Sequence, residues 1–272
     1  MVFWTFQPCC ATMCSVQPDR PGGGGGRERM LPLKIDILGV GFDNLTPEET
    51  VQAAVALMDQ GGFHYAVTPN PEFILAARKN PAFLAALNGA DLSMPDGIGV
   101  VYAAKILGRP LKGRVPGIDF ADQLMDRMAQ TGGRVFLLGS KPGHAELAAQ
   151  DLQKRHPGLV ICGTHDGYFK EDGPVVEQVR QAQPDLVVVG LGAPKQELWM
   201  VNNGPATGAK LMVGLGGALD VFAGKVDRAP AGWQRLGLEW LYRLLHDPKR
   251  IKRMIKLPLI LWYALIARIR GR

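Results

Sequence analysis

Asp185-Leu186-Val187-Val188-Val189-Gly190-Leu191-Gly192-Ala193-Pro194-Lys195-Gln196-Glu197 reads as a strand, a glycine turn and the start of a helix. Leu186–Val189 is apolar without alternation, the pattern of a strand covered on both faces in a parallel sheet. Gly190 and Gly192 admit backbone conformations that a side chain would block. A helix starting at Lys195 aims its first N–H groups at whatever lies above the turn, which favours an anion. In such a fold, ligands gather at the carboxyl ends of the strands.

The same unit recurs on both sides of this stretch. Apolar runs at Ile35–Val40, His64–Thr68, Asp91–Met94, Arg134–Gly139, Leu159–Gly163 and Lys210–Val213 predict further strands. Helices are expected between them at Pro47–Gln60, Pro71–Arg78, Pro81–Asn88, Gly97–Leu107, Ile118–Gln130, Gly143–Arg155, Pro174–Gln181, Lys195–Asn202 and Leu215–Ala223. Thr46-Pro47-Glu48-Glu49 carries an N-cap, a proline at the first helical position and early acids. Strict alternation predicts an α/β fold: a Rossmann-like, largely parallel sheet flanked by helices.

Composition bounds the rest. The chain has 272 residues, 47% hydrophobic and 21% charged, which is globular rather than disordered. No apolar run reaches the roughly 18–20 residues of a membrane span. Cys9, Cys10 and Cys14 crowd the start and Cys162 stands alone, so reduced thiols are expected rather than a disulfide framework. Residues 1–30, with five consecutive glycines at 22–26, read as a flexible extension, and Met30 is the more natural beginning. The apolar Val2–Phe6 patch leaves a weak anchor as the alternative. A catalytic domain over 31–230 and a helical basic appendage over 231–272 complete the expected organisation.

The charge is unevenly spread. From Arg228 onward there are 11 Lys and Arg against two acids, a net of +9, while the preceding residues carry −3. A patch of that sign wants a polyanion, either anionic lipid or nucleic acid. Trp233–Leu245 reads as an amphipathic helix; a basic cluster follows (Lys249, Arg250, Lys252, Arg253, Lys256), then the apolar run Leu257–Ala267. That run is too short to span a bilayer and suits an interfacial segment. The competing use of the tail is a helical cap, for instance at a homo-oligomer interface.

Several motifs are missing. Gly214-x-Gly216 and Gly190-x-Gly192 lack the third glycine of a dinucleotide fingerprint, having Leu219 and Lys195 there. There is no Walker loop, no zinc-ligand spacing and no nucleophile elbow. The turns that remain are Thr68-Pro69-Asn70-Pro71, Pro95-Asp96-Gly97-Ile98-Gly99, Gly139-Ser140-Lys141-Pro142-Gly143, Thr164–Phe169, Gly190–Glu197 and Gly214–Asp220. Asp96 can serve as a general base toward a hydroxyl, or merely cap the following helix. Thr68 and Asn70 can position a sugar, or make local turns. Arg114 can grip a phosphate, or be solvated. Gln196 can read a polar ligand, or be an exposed first-turn amide. His64, His144 and His156 receive no role, and His165 reads as loop surface.

In this order the clusters resemble the WecG/TagA/CpsF glycosyltransferases, glycosyltransferase family 26. The carrying stretches are Val67–Asn70, Pro95–Val101, Arg114–Asp119, Phe136–Gly139, Gly167–Phe169, Gly190–Glu197, Val213–Asp220 with Arg228–Pro230, and Gly237–Leu244. The resemblance covers about residues 33–255. It implies an inverting, metal-independent, cofactor-free transferase that moves a hexose such as N-acetylmannosamine from a UDP-sugar to a polyprenyl-diphosphate-linked saccharide in surface polysaccharide synthesis. By residue match, Asp96 is its base, and Thr68, Asn70, Arg114 and Gln196 fall on active-site positions. Gly139, Ser140, Tyr168, Gly192 and Lys195 are the candidate UDP-sugar contacts. Arg243, Arg250 and Arg253 match basic positions of an appendage that docks on the membrane and completes the site. The Lys225–Arg228 and His246–Pro248 stretches are less typical. The expected location is the cytoplasm, peripherally attached to the inner face of the cytoplasmic membrane. No Asp-x-Asp occurs. A non-catalytic nucleotide- or RNA-binding protein is the alternative, but recognisable RNA modules are missing.

Overall fold

The computed structural model describes residues 33–230, 232–233, 239–246 and 256–271. Residues 1–30, Arg250 and Arg253 lie outside the described residues, as does the side chain of Arg243.

The chain enters through a hairpin, β1 (Ile35–Ile37) and β2 (Val40–Phe42), paired antiparallel with Ile35 opposite Phe42. The sequence predicts one strand here. Leu38 and Gly39 instead both take positive φ, 57° and 95°, and reverse the chain. Two such residues make the tight turn that suits a two-residue hairpin.

The main sheet has six parallel strands: β3 (His64–Val67), β4 (Leu92–Ser93), β5 (Arg134–Gly139), β6 (Val160–His165), β7 (Leu186–Gly190) and β8 (Leu211–Gly214). Their spatial order is β4-β3-β8-β7-β5-β6. All of β7 is buried, as its unbroken apolar run requires. β5 shows the period of two: Val135 and Leu137 enter one core, Phe136 and Leu138 the other. Each fully buried aliphatic side chain contributes roughly 1.5–3 kcal/mol.

One core lies under α1 (Pro47–Asp59), α5 (Gly117–Thr131), α6 (His144–Arg155) and α9 (Ala218–Phe222). The other lies under the hairpin, α2 (Pro71–Ala77), α3 (Pro81–Asn88), α4 (Ile98–Ile106), α7 (Asp172–Ala182) and α8 (Lys195–Thr207). The capping box of α1 is present: Thr46 Oγ1 accepts from the Glu49 N–H, and Glu49 Oε2 accepts from the Thr46 N–H at 2.8 Å. α8 runs past the predicted Asn202 end and takes Pro205 inside it. Gly204 there meets Phe63 so closely that a Cβ would lie 2.1 Å from the ring. α9 starts later than the predicted Leu215, because Gly216 at φ 51° still belongs to the turn. Cys162 is a free thiol.

Beyond the sheet come α10 (Glu239–His246) and α11 (Lys256–Ile269). α11 packs on α4 and α2. Ile260 and Ala264 are fully buried there, and the Arg78 guanidinium sits 4.4 Å from the centre of the Tyr263 ring. No helix among the described residues is long and apolar enough to cross a membrane.

Topology locates the crevice. From β5 the chain crosses through α6 to β6 on one side; from β7 it crosses through α8 to β8 on the other. The two helices cover opposite faces of the sheet, so the turns after β5 and β7 diverge, which is where α/β folds bind ligands.

Candidate active site

Two groups of residues meet at the carboxyl edge of the sheet. The first lies above β3 and β4. The Met94 N–H donates to Val67 O (2.9 Å), the Asp96 N–H to Pro69 O (3.1 Å) and the Val115 N–H to Pro95 O (2.9 Å). Three separate segments are thereby stitched around Asp96, which is half-buried. Asp96 does not cap α4. Gly97 holds that position at φ 104°, and no side chain caps the helix. Gly97 abuts Pro71 and Asn70, so a Cβ there would sit 3.6 Å from Pro71 Cδ.

Thr68 is buried, and its hydroxyl donates to Gly214 O at 2.9 Å, tying the end of β3 to that of β8. Asn70 caps α2: its Oδ1 accepts from the N–H groups of Glu72 (2.9 Å) and Phe73 (3.2 Å). The Asx reading of Asn70 is therefore realised. Arg114 Nη1 lies 3.8 Å from Glu239 Oε2 of α10, both side chains mostly buried. The solvated reading of Arg114 does not hold; the appendage reaches the body at this residue.

The second group lies above β5 and β7. Gly139 and Gly190 are register partners, and a Cβ on Gly139 would fall 2.4 Å from Gly190 O. The Ser140 N–H donates to Gly190 O (3.0 Å) and the Gly167 N–H to Ser140 O (2.9 Å), which brings the turn after β6 into the same nest. Ser140 is held at φ 64°. Its hydroxyl donates to the Asp220 carboxylate, and His144 Nδ1 lies 2.7 Å from Asp220 Oδ1. Tyr168 stands exposed over this edge, at 70% of its surface. Lys195 Nζ donates to Gly167 O (3.2 Å) and sits 4.5 Å from the centre of the Phe169 ring.

Gln196 joins the two groups and is neither an exposed amide nor accessible to a ligand, because it is fully buried. Its Oε1 accepts from the N–H groups of Gly192 (3.2 Å) and Gly216 (3.0 Å), and its Nε2 donates to Glu197 Oε1 (2.7 Å). Burial pushes the Glu197 carboxyl up to about 7, partly offset by that hydrogen bond.

The sequence alone gives no role to four of these residues. Glu197 stood in the opening motif but its burial has no local signal. His144 and Asp220 come from different turns, and Glu239 comes from the tail. Among the described residues, no three His, Cys, Asp or Glu side chains are grouped to hold a metal. A cavity of about 130 Å³ between α5, α6 and α9 is lined by Asp122, Asp151, Arg155 and Arg228 with apolar neighbours, and by none of the candidate residues.

A family model described as "Glycosyl transferase WecG/TagA/CpsF family" matches residues 35–272. A protein of Bacillus spizizenii strain W23 is 39% identical over 201 residues, which cover 74% of this chain and 78% of that relative. One from Staphylococcus aureus strain MRSA252 is 37% identical over 237 residues, 86% of this chain and 93% of the relative. Both relatives bear the name N-acetylglucosaminyldiphosphoundecaprenol N-acetyl-beta-D-mannosaminyltransferase.

Proposed function

The chain belongs to the WecG/TagA/CpsF glycosyltransferase family, and from that premise we propose that it transfers N-acetylmannosamine from its UDP-sugar to a hydroxyl of N-acetylglucosaminyl-diphospho-polyprenol. The observation that carries this reading is the identity of 37–39% over most of both chains to proteins named for that transfer.

The site supports a single inverting displacement. The acceptor hydroxyl oxygen attacks the anomeric carbon while Asp96 takes its proton. The bond from that carbon to the UDP oxygen breaks, and its electron pair leaves on the diphosphate. Arg114 meets the developing negative charge as a bidentate donor. Binding the phosphate there exchanges the Glu239 carboxylate for a stronger anion. Above β5 and β7, Gly139, Ser140, Tyr168, Gly192 and Lys195 form the donor side. Thr68 and Gln196 act from beneath, holding strand ends and turns, and Asn70 offers its NH2 to a sugar hydroxyl. The reaction needs no metal in this reading, because cationic side chains supply the charge that an Asp-x-Asp metal would.

A lipid-linked acceptor requires approach to a membrane, and α11 supports peripheral attachment. Leu259, Trp262, Leu265 and Ile269 recur along one stripe and are 40%, 58%, 44% and 76% exposed, while Ile260 and Ala264 face inward. An amphipathic helix with basic neighbours lies in the interface of an anionic leaflet. Arg243, Arg250 and Arg253 then serve the lipid diphosphate. The +9 tail reads as lipid-seeking rather than RNA-seeking, since the relatives are named for a lipid acceptor.

A panel of UDP-sugars with a synthetic lipid-diphosphate N-acetylglucosamine, followed by linkage analysis, tests the reading. Turnover is expected with UDP-N-acetylmannosamine and gives a β-linked product. Turnover with another UDP-sugar alone corrects the donor. Co-sedimentation with phosphatidylglycerol vesicles across a salt series, against RNA binding in the same buffers, tests the attachment.

A further inference from the structure

Glu197 is a buried acid that the displacement does not use. It has no exposed surface, yet it stands in the first turn of α8 at the ligand edge of the sheet. Burying a carboxylate is unfavourable unless hydrogen bonds compensate. Among the described residues Oε1 accepts from Gln196 Nε2, while Oε2 has no hydrogen-bond partner. An apolar side chain of similar size would fill the place without that penalty. It would not hold the NH2 of Gln196.

That hold matters because an amide has two unlike ends. With the NH2 of Gln196 committed to Glu197, its oxygen faces two backbone donors, the N–H groups of Gly192 and Gly216. The inverted amide would set NH2 against both N–H groups and oxygen against the carboxylate. The amide packs directly on Gly214, where a Cβ would lie 2.9 Å from Gln196 Nε2, so a side chain at 214 would crowd the clasp. Gly192 and Gly216 take φ 76° and 51° in the turns after β7 and β8. The Gln196 clasp thus sets how two turns of the crevice sit relative to each other.

We propose that Glu197 is a positioning residue for the nucleotide-sugar side of the site, acting through the orientation of the Gln196 amide. The proposal rests on the glycosyltransferase reading given above. Its Oε1 accepts the hydrogen bond whether or not Oε2 carries a proton, so the required property is an acceptor oxygen and not a charge. Glutamine at 197 retains that oxygen; methionine, of similar volume, does not.

The test is steady-state kinetics with UDP-N-acetylmannosamine and the lipid-diphosphate acceptor, together with calorimetric UDP binding and thermal melts, on the full chain. For Glu197→Met, the KM for the donor and the Kd for UDP rise about tenfold with a smaller change in kcat, as loss of binding geometry predicts. Glu197→Gln stays within about threefold of the original in all three. In a Gln196→Met background, Glu197→Met adds less than about twofold, because residues acting as one unit are not additive. Its melting midpoint is at or above the original, since a buried acid has been removed. Unchanged donor KM in Glu197→Met, multiplicative effects in the double variant, a Glu197→Gln as damaged as the Met variant, or failure of Glu197→Met to fold would each overturn the proposal. Absence of turnover by the unmutated protein with every UDP-sugar overturns the transferase reading instead, and the UDP calorimetry still reads the positioning role on its own.

Discussion

At the β3–β4 end of the sheet the candidate chemistry is made of side chains: Asp96, Asn70 and Arg114, set in turns stitched by backbone hydrogen bonds. At the β5–β7 end it is made largely of backbone, with Gly139 against Gly190 and the N–H groups of Ser140 and Gly167 closing a nest. The difference follows from what each half handles in the proposed reaction. A proton and a leaving charge need groups that titrate or carry charge. A diphosphate needs close approach, which glycine backbone allows once side chains are out of the way. Substitutions in one half are therefore expected to remove turnover, and those in the other to remove structure or binding.

The largest effect is expected in the backbone half. Gly139→Ala places a Cβ 2.4 Å from Gly190 O at φ 133°, so β5 and β7 must part. A loss of at least about 4 kcal/mol is expected in urea unfolding. Stability near that of the original would show that the two strand ends have slack, and the contrast between the halves would weaken.

The side-chain half responds differently. Arg114→Met is expected to lower kcat about a hundredfold, or roughly 3 kcal/mol of transition-state stabilisation, with little change in UDP affinity. An equal loss in UDP affinity would move Arg114 from stabilising the leaving group to ground-state binding.

Between the halves sits Glu197, and it gives a pH signature. Its folded pKa of about 7 exceeds the ordinary glutamate value, so the folded chain binds the proton more tightly than the unfolded chain. That contribution to stability is complete below the unfolded pKa and is lost as pH rises through 7, by roughly 3 kcal/mol in all. Glu197→Gln abolishes this slope, so urea midpoints at pH 5 and pH 8 should differ less in the variant than in the original. An unchanged slope would place the titration elsewhere.

Much of this was legible in the sequence, for physical reasons. The fully buried strand β7 announces itself because a strand covered on both faces has no polar alternation. The boundaries of α1 and α3 follow from Thr46 and Asn80 acting as caps ahead of proline. Asp96 stands out as a candidate because it sits in a glycine turn after a strand. The hairpin was hidden, because Leu38-Gly39 interrupts no hydrophobic run and is not a customary turn pair. α8 runs beyond Asn202 through Gly204 and Pro205, where Gly204 packs closely on Phe63, a contact with a distant residue. Gln196 and Glu197 were visible as a motif but not as a clasp, since burial depends on turns far apart in the chain. The pairing of Arg114 with Glu239 likewise joins segments that only the fold brings together.

The central claim is that Asp96 removes the acceptor proton in a single displacement. Asp96→Asn keeps the size and shape of the side chain but lowers its basicity. Single-turnover transfer from UDP-N-acetylmannosamine to the lipid-diphosphate acceptor is predicted to slow by about a hundredfold or more, with UDP affinity and the melting midpoint unchanged. Transfer at the original rate in a variant that folds and binds UDP would contradict the assignment.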